Sequence, residues 1–329
     1  MAKNNNIAVT GVWLPFEEKI ARLYQQIEDL EHEQIKTGRD YLSEIRQIRA
    51  QYVSLLKKIY DNLTPWETVQ VARHPKRPLT RDYIDMMVKN FVELHGDRRF
   101  GDDKSIVGGF GRIGTEKVLF VGHHKGRDTK EKIAHNFGMS QPEGYRKALR
   151  LMRLAEKYSL PVVTFIDTPG AYPGVGSEER GVAEAIAVNL MEMSRLRVPV
   201  VCIVIGEGGS GGALGIAVGD RVAMLQYSYY SVISPEGCAS ILWRTGEKAP
   251  EAAQALKLTA PSLRDLGIIN DIIEEPLGGA HRNPAEAAHN LEQYIVSTLR
   301  SLKRKKIETL LNSRYESWRN KGKILQNAE

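Results

Sequence analysis

A long apolar run that ends in a cluster of glycines is the strongest constraint on the fold of this chain. Residues 198–205 are mostly β-branched and are typical of a strand buried on both faces. Five glycines follow within seven residues, and residues 213–218 have the composition of a buried helix. Such a turn leaves main-chain N–H groups free to face a ligand, and a helix N-terminus adds positive potential. The pattern predicts a turn that binds a phosphate, a carboxylate or an oxyanion through Gly208, Gly209, Gly211 and Gly212.

A second unit of the same kind precedes the first at a separation of 38 residues. Residues 161–166 form an apolar run, and residues 167–176 alternate proline and glycine. Ser177 is the predicted N-cap of a helix that extends to residue 196. Turns at the same ends of neighbouring parallel strands face one crevice, where ligands bind in sheets of this type. The sequence therefore predicts one cleft shared by both turns.

Apolar periodicity divides the chain into helical ends and an α/β centre. Residues 16–60 predict two helices separated at Thr37-Gly38, and residues 64–78 predict a polar connector. Beyond residue 80, apolar strands alternate with helices, which favours a parallel sheet covered on both sides. The chain is helical again from Asn283, with a fraying end from Tyr315. We expect three parts: an N-terminal helical hairpin at 1–65, a core at 66–285 and a C-terminal helical segment at 286–329.

Composition narrows the possible functions. The apolar fraction is 42% and the charged fraction 26%, as in ordinary globular proteins, and no apolar run is long enough to span a bilayer. The N-terminus lacks a secretory signal pattern, so we expect a cytoplasmic protein. Two cysteines, predicted to be buried reduced thiols, cannot make a structural zinc site, so no metal is expected. The formal net charge of +6 suits an anionic ligand, whereas an aromatic fraction of 7% and the absence of a nucleic-acid motif disfavour nucleic acid.

The residues in and around the glycine turns favour some kinds of chemistry and disfavour others. The turn after residue 205 lacks the lysine of a nucleotide-hydrolysing phosphate loop. Ser210 resembles a nucleophile elbow only loosely, because no histidine is tied to it by spacing. Lys125 and Arg127, in a basic segment, are candidates for a phosphorylated tail, although a solvated loop explains them equally well. Neutral amides with no attached acid or base suit a reaction in which the ligand supplies the base.

The motifs together resemble one family over nearly all of residues 14–315. The resemblance is carried by short segments, including Ala72-Arg-His-Pro75, Gly96-Asp-Arg98, Asn136-Phe-Gly-Met139, Phe165-Ile-Asp-Thr-Pro-Gly-Ala-Tyr-Pro-Gly174, Gly206-Glu-Gly-Gly-Ser-Gly-Gly-Ala-Leu214 and Tyr230-Ser-Val-Ile-Ser-Pro-Glu-Gly-Cys-Ala-Ser-Ile-Leu-Trp243. The chain is similar to the alpha subunits of bacterial-type acetyl-coenzyme A carboxylase carboxyltransferases.

This resemblance implies an α/β, crotonase-like spiral of strand–strand–helix units preceded by the helical hairpin. It implies an alpha2beta2 assembly with a beta subunit that carries a zinc ribbon, together with a biotin carboxyl carrier protein and a biotin carboxylase. The implied reaction moves a carboxyl group from carboxybiotin on the carrier to acetyl-coenzyme A and forms malonyl-coenzyme A for fatty acid biosynthesis.

The resemblance also assigns roles by position. Gly211 and Gly212 are expected to hold the ureido oxygen of biotin through their amides. Gly170, Ala171 and Tyr172 are expected to line the same cleft. Two rival functions stay open on the sequence alone: a related biotin-dependent enzyme that acts on a larger acyl-coenzyme A, and a non-catalytic scaffold that binds nucleic acid.

Overall fold

The structure is a computed structural model, and it describes residues 11–322. An antiparallel pair of helices forms the N-terminal part, with α1 at Glu18–Thr37 and α2 at Leu42–Tyr60. Both helices bury one apolar stripe, which includes Ile20 and Leu56. The predicted hairpin and its break at Thr37-Gly38 are confirmed. The part of the predicted frayed end beyond residue 322 lies outside the described residues, and helix structure continues to Arg319.

Within residues 11–322, eight strands form one sheet. Their bounds in chain order are β1 Lys89–Glu93, β2 Ile106–Ile113, β3 Glu116–His123, β4 Val162–Thr168, β5 Val200–Gly209, β6 Arg221–Leu225, β7 Tyr229–Ser231 and β8 Asp271–Ile273. The spatial order is β1-β2-β3-β4-β5-β6-β8, and β7 pairs with the end of β5. The first three strands are antiparallel, and every later pairing is parallel.

Helices connect these strands. The remaining α-helices are α3 Pro65–Ala72, α4 Thr80–Met87, α5 Thr129–Ala134, α6 Pro142–Lys157, α7 Val175–Glu179, α8 Val182–Arg195, α9 Ser210–Leu214, α10 Pro235–Trp243, α11 Ala249–Leu256, α12 Ala260–Asp265, α13 Pro284–Lys303 and α14 Ile307–Arg319. Short 3-10 helices lie at Pro15–Glu17, Asn136–Gly138 and Gly246–Lys248.

The sheet is buried on both faces, as the apolar strands predicted. Along β3, Leu119 and Val121 belong to a core shared with α6 and α8, whereas Val118 and Phe120 belong to a second core with α4 and α13. The same alternation continues through β4, β5 and β6, because successive strand residues point to opposite faces. Burial on both sides explains why the middle parts of these strands are mostly apolar, with most polar residues near the strand ends.

The polar connector predicted at 64–78 was wrong for its first half, which is helix α3. Thr64 and Glu67 form a reciprocal cap that stabilises this short helix. The Glu67 N–H donates to Thr64 Oγ1 at 3.2 Å, and the Thr64 N–H donates to Glu67 Oε2 at 2.7 Å. Pro65 occupies the first helical position, where its missing N–H costs nothing.

The single helix predicted from Ser177 to residue 196 is two helices, α7 and α8. Gly181 separates them with a φ of 77°, a left-handed conformation that favours glycine. Ser177 lies inside α7 rather than at an N-cap, and its buried hydroxyl has no hydrogen-bond partner among the described residues. The interruption lets the chain turn between the first glycine turn and the long helix α8.

A buried ion pair connects the hairpin to the core. Arg282 Nη2 lies 2.5 Å from Glu17 Oε1, and both side chains are fully buried. The Arg282 guanidinium also lies 4.7 Å from the ring centroid of Trp13. Glu17 accepts a further bond from the Tyr60 hydroxyl at 2.7 Å. A buried charge pair of this kind specifies one docking position of the hairpin. A shifted position would leave each charge buried without its partner.

We expect Arg282→Met to destabilise the docked hairpin by about 3–5 kcal/mol, since Glu17 would stay buried without its cation. Urea denaturation and limited proteolysis of residues 11–63 would measure the loss. The control is Arg22→Met, which breaks the exposed Arg22–Glu18 pair and should leave the unfolding midpoint unchanged. Equal effects of the two variants would contradict the role of Arg282.

Candidate functional site

The two glycine turns touch each other through their main chains. Strands β4 and β5 are parallel neighbours, so the turns after Thr168 and Gly209 emerge at the same edge of the sheet. A Cβ atom on Gly212 would lie 2.3 Å from the carbonyl carbon of Gly170 and 2.4 Å from the nitrogen of Ala171. A Cβ atom on Gly209 would lie 2.1 Å from the carbonyl oxygen of Pro169. Only glycine permits this approach, and the contact brings the two turns together at one edge of the sheet.

Two of the glycines assigned to the turn belong to strand β5 instead. Gly208 pairs with Tyr230 and with Thr168, and Gly209 pairs with Ser231. The prediction that both residues have a bare backbone in an open turn was therefore wrong. A Cβ atom on Gly208 would lie 2.8 Å from the Tyr230 ring, so close packing explains this glycine. Their predicted contact with substrate stays a prediction.

Helix α9 starts directly after the strand and is shorter than the sequence suggested. It spans five residues, and the amides of Gly211 and Gly212 lie in its first turn, where no preceding helical carbonyl can accept them. A Cβ atom on Gly211 would meet only Ile186 Cδ1, at 3.9 Å. The start of α9 thus presents two adjacent donors that have no acceptor within the helix, and little surrounds Gly211.

The first glycine turn has fixed local hydrogen bonds. Thr168 Oγ1 accepts a bond from the Gly170 N–H at 3.1 Å and donates to the Gly170 carbonyl at 2.7 Å. The Tyr172 N–H donates to the Ser140 carbonyl at 3.0 Å. Gly170, Ala171 and Tyr172 are all half-buried. The structure brings these three residues next to Gly212, while their contact with substrate stays a prediction.

A network of charges lies beneath the turns. Lys125 Nζ lies 2.7 Å from Asp167 Oδ1 and also bonds Glu207. Arg73 Nε lies 2.6 Å from Glu207 Oε1, and the Tyr229 hydroxyl donates to the same oxygen at 2.7 Å. Burial alone would raise the pKa of Glu207, but Lys125 and Arg73 outweigh burial and lower this pKa to about 2. The network is ionised at neutral pH and ties the ends of β4 and β5 to helix α3.

A cavity of about 370 Å³ opens beside this network. Its lining includes four arginine and lysine side chains and one residue of the first turn: Arg73, Arg77, Lys125, Arg127 and Pro169. These cations are engaged: Arg77 binds Glu275, and Arg127 binds Asp82. Lys125 and Arg127 line the same cavity, which a common ligand would require. Their charges are already neutralised by the carboxylates that they bind. Their role in binding a phosphorylated tail stays a prediction.

Sequence reasoning missed the acidic members of this network. Asp167 and Glu207 each end an apolar strand run, so a charge directly before a glycine turn was the available signal. Arg73 belongs to the motif Ala72-Arg-His-Pro75 that carried the resemblance, but no role could be assigned to it from the motif alone.

Two further properties concern the described part of the chain. No group of three or more histidine, cysteine, aspartate or glutamate residues there could hold a metal ion. None of its helices is both long and apolar enough to cross a bilayer. Cys202 is buried as predicted, and burial raises the pKa of its thiol to about 12, whereas Cys238 is only half-buried.

Comparison with known proteins identifies the family. The model of the acetyl co-enzyme A carboxylase carboxyltransferase-like family matches residues 13–322. The chain belongs to this family. Curated relatives named acetyl-coenzyme A carboxylase carboxyl transferase subunit alpha include one from Bordetella pertussis, 55% identical over 95% of this chain and 98% of its own. Another, from Thioalkalivibrio sulfidiphilus, is 57% identical over 92% of this chain and 95% of its own. The chain is thus a transferase subunit of this carboxylase family, and the resemblance drawn from the motifs is confirmed.

Solved structures support the fold. The transcarboxylase 12S structure with methylmalonyl-coenzyme A has a TM-score of 0.52 at 22% identity, over 66% of this chain and 41% of its own. A Pseudomonas malonate decarboxylase hetero-tetramer has a TM-score of 0.54 at 17% identity, over 66% of this chain and 86% of its own. The predicted crotonase-like α/β fold is confirmed.

We expect Glu207→Gln to destabilise the protein at pH 7 by roughly 3 kcal/mol, because the ionised carboxylate binds two cations in the folded state. The folded pKa lies below the unfolded value of 4.5, so this stabilisation is complete above that value and is lost as the pH falls towards about 2. Urea denaturation at pH 7 and pH 3 should show the difference between wild type and variant narrowing. A difference that grows on acidification would refute the assignment, and Glu18→Gln at an exposed pair is the control.

Proposed function

We propose that this chain is the alpha subunit that transfers a carboxyl group from carboxybiotin, held on a biotin carboxyl carrier protein, to acetyl-coenzyme A. The product is malonyl-coenzyme A for fatty acid biosynthesis. One observation carries the proposal: the amides of Gly211 and Gly212, which have no acceptor within their helix, lie where the two glycine turns meet. Family membership fixes the reaction class, and the site geometry supports the biotin side of that reaction.

The two amides fit the ureido oxygen of biotin. Negative charge grows on this oxygen as the carboxyl group leaves, and two fixed N–H donors would stabilise it there. Removal of one donor from a comparable oxyanion site costs roughly 10²–10³ in turnover. The free position at Gly211 leaves room for a bicyclic ligand beside the donors. Biotin itself would supply the carboxyl group and, once this group has left, a nitrogen that can accept the methyl proton of the acetyl group.

The surrounding residues would hold the donors in place and exclude water. Gly170, Ala171 and Tyr172 would form the opposite wall of the cleft. Lys125, Asp167 and Glu207 are paired with one another, so they would support the strand ends rather than exchange protons with substrate. A site with neutral donors and no unpaired acid or base suits a reaction in which the substrate provides the base.

The beta subunit would complete the site. Helix α10 buries only Pro235 and Ala239, while Val232, Ile241 and Leu242 are 75%, 72% and 61% exposed. This apolar face (Val232, Ile241, Leu242) directly follows β7, which pairs with the strand that leads into the glycine turn. We propose that the beta subunit covers this face and closes the cleft in an alpha2beta2 assembly. The carrier protein and the biotin carboxylase would act as further partners in the cytoplasm.

Gly211→Val tests the catalytic assignment without disturbing the fold. The new side chain has open space on the protein side, so stability and assembly should be unchanged, whereas the cleft beside the amides would be filled. We expect kcat/KM to fall by about 10²–10³ in malonyl-coenzyme A decarboxylation with free biotin as acceptor, assayed with the co-expressed beta subunit. The control is Gly101→Val, another glycine with open space. Wild-type turnover by Gly211→Val would refute the role.

Gly212→Val is a less specific probe than Gly211→Val. The close contact with Gly170 means that this substitution forces the two turns apart, so assembly as well as transfer would suffer.

Ile241→Asp tests the docking surface. An ionised carboxylate buried in an apolar interface should weaken association with the beta subunit by about 10²-fold or more, while the isolated alpha subunit unfolds as the wild type does. Analytical ultracentrifugation of the co-expressed subunits measures this. Ile35→Asp, on the 83% exposed Ile35 of the hairpin, is the control. Normal assembly of Ile241→Asp would place the beta subunit elsewhere.

Assays of the same preparation distinguish the proposed function from its two rivals. Faster carboxylation of propionyl- than of acetyl-coenzyme A would favour a larger acyl substrate. Salt-sensitive RNA binding without any carboxyl transfer would favour a scaffold.

A further inference from the structure

A buried polar cluster around Tyr145 holds the glycine turn from behind. Tyr145 lies in the first turn of α6 and has no solvent exposure. Its hydroxyl donates to the Gly212 carbonyl oxygen at 3.3 Å. Its ring lies against the end of α9, where a Cβ atom on Gly215 would be 2.7 Å from Tyr145 Cε1. Tyr145 therefore contacts the middle and the C-terminal end of the short helix whose amides form the proposed donor pair.

Asn189 reinforces the same arrangement. Its Nδ2 atom donates to the Tyr145 carbonyl and to the Gly215 carbonyl, both at 3.0 Å. The side chain is 1% exposed, so neither bond is shared with bulk water. One amide group from α8 thus joins the start of α6 to the end of α9.

The cluster also reaches the first glycine turn. Ser140 lies beside the Tyr145 hydroxyl, and its own hydroxyl accepts a bond from Ser105 Oγ at 2.8 Å. The Ser140 carbonyl accepts the N–H of Tyr172, and Ser140 forms a bridge with Ala171. The segment from Ser140 to Tyr145 therefore contacts the first turn at one end and the second turn at the other.

We infer that Tyr145 is a positioning residue that sets the orientation of the Gly211–Gly212 amides relative to the first turn. This inference rests on the proposed function. A helix of five residues has too little internal hydrogen bonding to fix its own direction, so its orientation comes from the groups packed against it. Oxyanion stabilisation depends on donors placed within a few tenths of an ångström, which makes such support necessary for rate rather than for binding.

The hydroxyl acts as a donor and not as an acid or a base. Burial raises the pKa of Tyr145 above its ordinary value, so the group stays protonated throughout the working range. Its removal should lower the rate by a factor that does not vary with pH.

Tyr145→Phe removes this hydroxyl and leaves the ring in place. In the complex with the beta subunit, we expect kcat for malonyl-coenzyme A decarboxylation to fall about tenfold, with KM and the shape of the pH profile unchanged. Asn189→Ala should give a similar loss, and the double variant should lose less than the product of the two, because both act on one helix. The matched control is Tyr83→Phe, since Tyr83 is equally buried and its hydroxyl has no partner among the described residues.

Hydrogen exchange of the peptide covering residues 206–216 gives a readout independent of turnover. Exchange should be faster in Tyr145→Phe and unchanged in Tyr83→Phe. Unchanged exchange or an unchanged kcat in Tyr145→Phe would overturn the inference. Equal losses of kcat in Tyr145→Phe and in the control Tyr83→Phe would overturn it as well. A wild-type complex without decarboxylation would instead refute the proposed function, and exchange alone would then decide whether Tyr145 positions the helix.

Discussion

The main-chain contact between the two glycine turns is the constraint on which the rest of the structure depends. Gly209 and Gly212 approach the backbone of residues 169–171 so closely that no side chain fits between them. This approach requires two parallel neighbouring strands that end at the same level, a sheet packed on both faces and helices that leave the edge open. Close-packed interiors transmit small displacements, so an extra methyl group at the contact would displace residues along both strands.

The distribution of charge follows from this contact. Asp167 and Glu207 stand at the ends of β4 and β5 and share Lys125, so the strand ends are held together by ionised groups in a poorly solvated place. Once these charges are paired, the donors at the start of α9 are neutral amides. Under the proposed function, the ion pairs fix the scaffold and the main-chain amides bind the substrate. It also agrees with a reaction whose proton acceptor arrives with the substrate.

The proposed site is open to solvent in the single chain. The first turn is partly exposed, a Cβ atom on Gly211 would have only Ile186 within 4 Å, and α10 exposes Ile241 and Leu242. A second subunit on that face would exclude water from the amides, which strengthens every electrostatic interaction there. The buried cluster around Tyr145 would support α9 from the opposite side. The short helix would then be held in place by its own chain and covered by the second subunit.

The sequence by itself determined the element types, the burial of the sheet and the family, because apolar periodicity and glycine-rich turns are local signals. It also determined that both turns would share one edge. It misplaced Gly208 and Gly209, and it missed the break at Gly181, since strand pairing and helix direction depend on partners that are distant in the chain. Only the tertiary structure decided that Lys125 is paired with Asp167 and Glu207 and that Tyr145 reaches Gly212. Such contacts join residues 42 to 82 positions apart. No local pattern records them, because their energy arises from desolvation and packing that exist only after the elements have assembled.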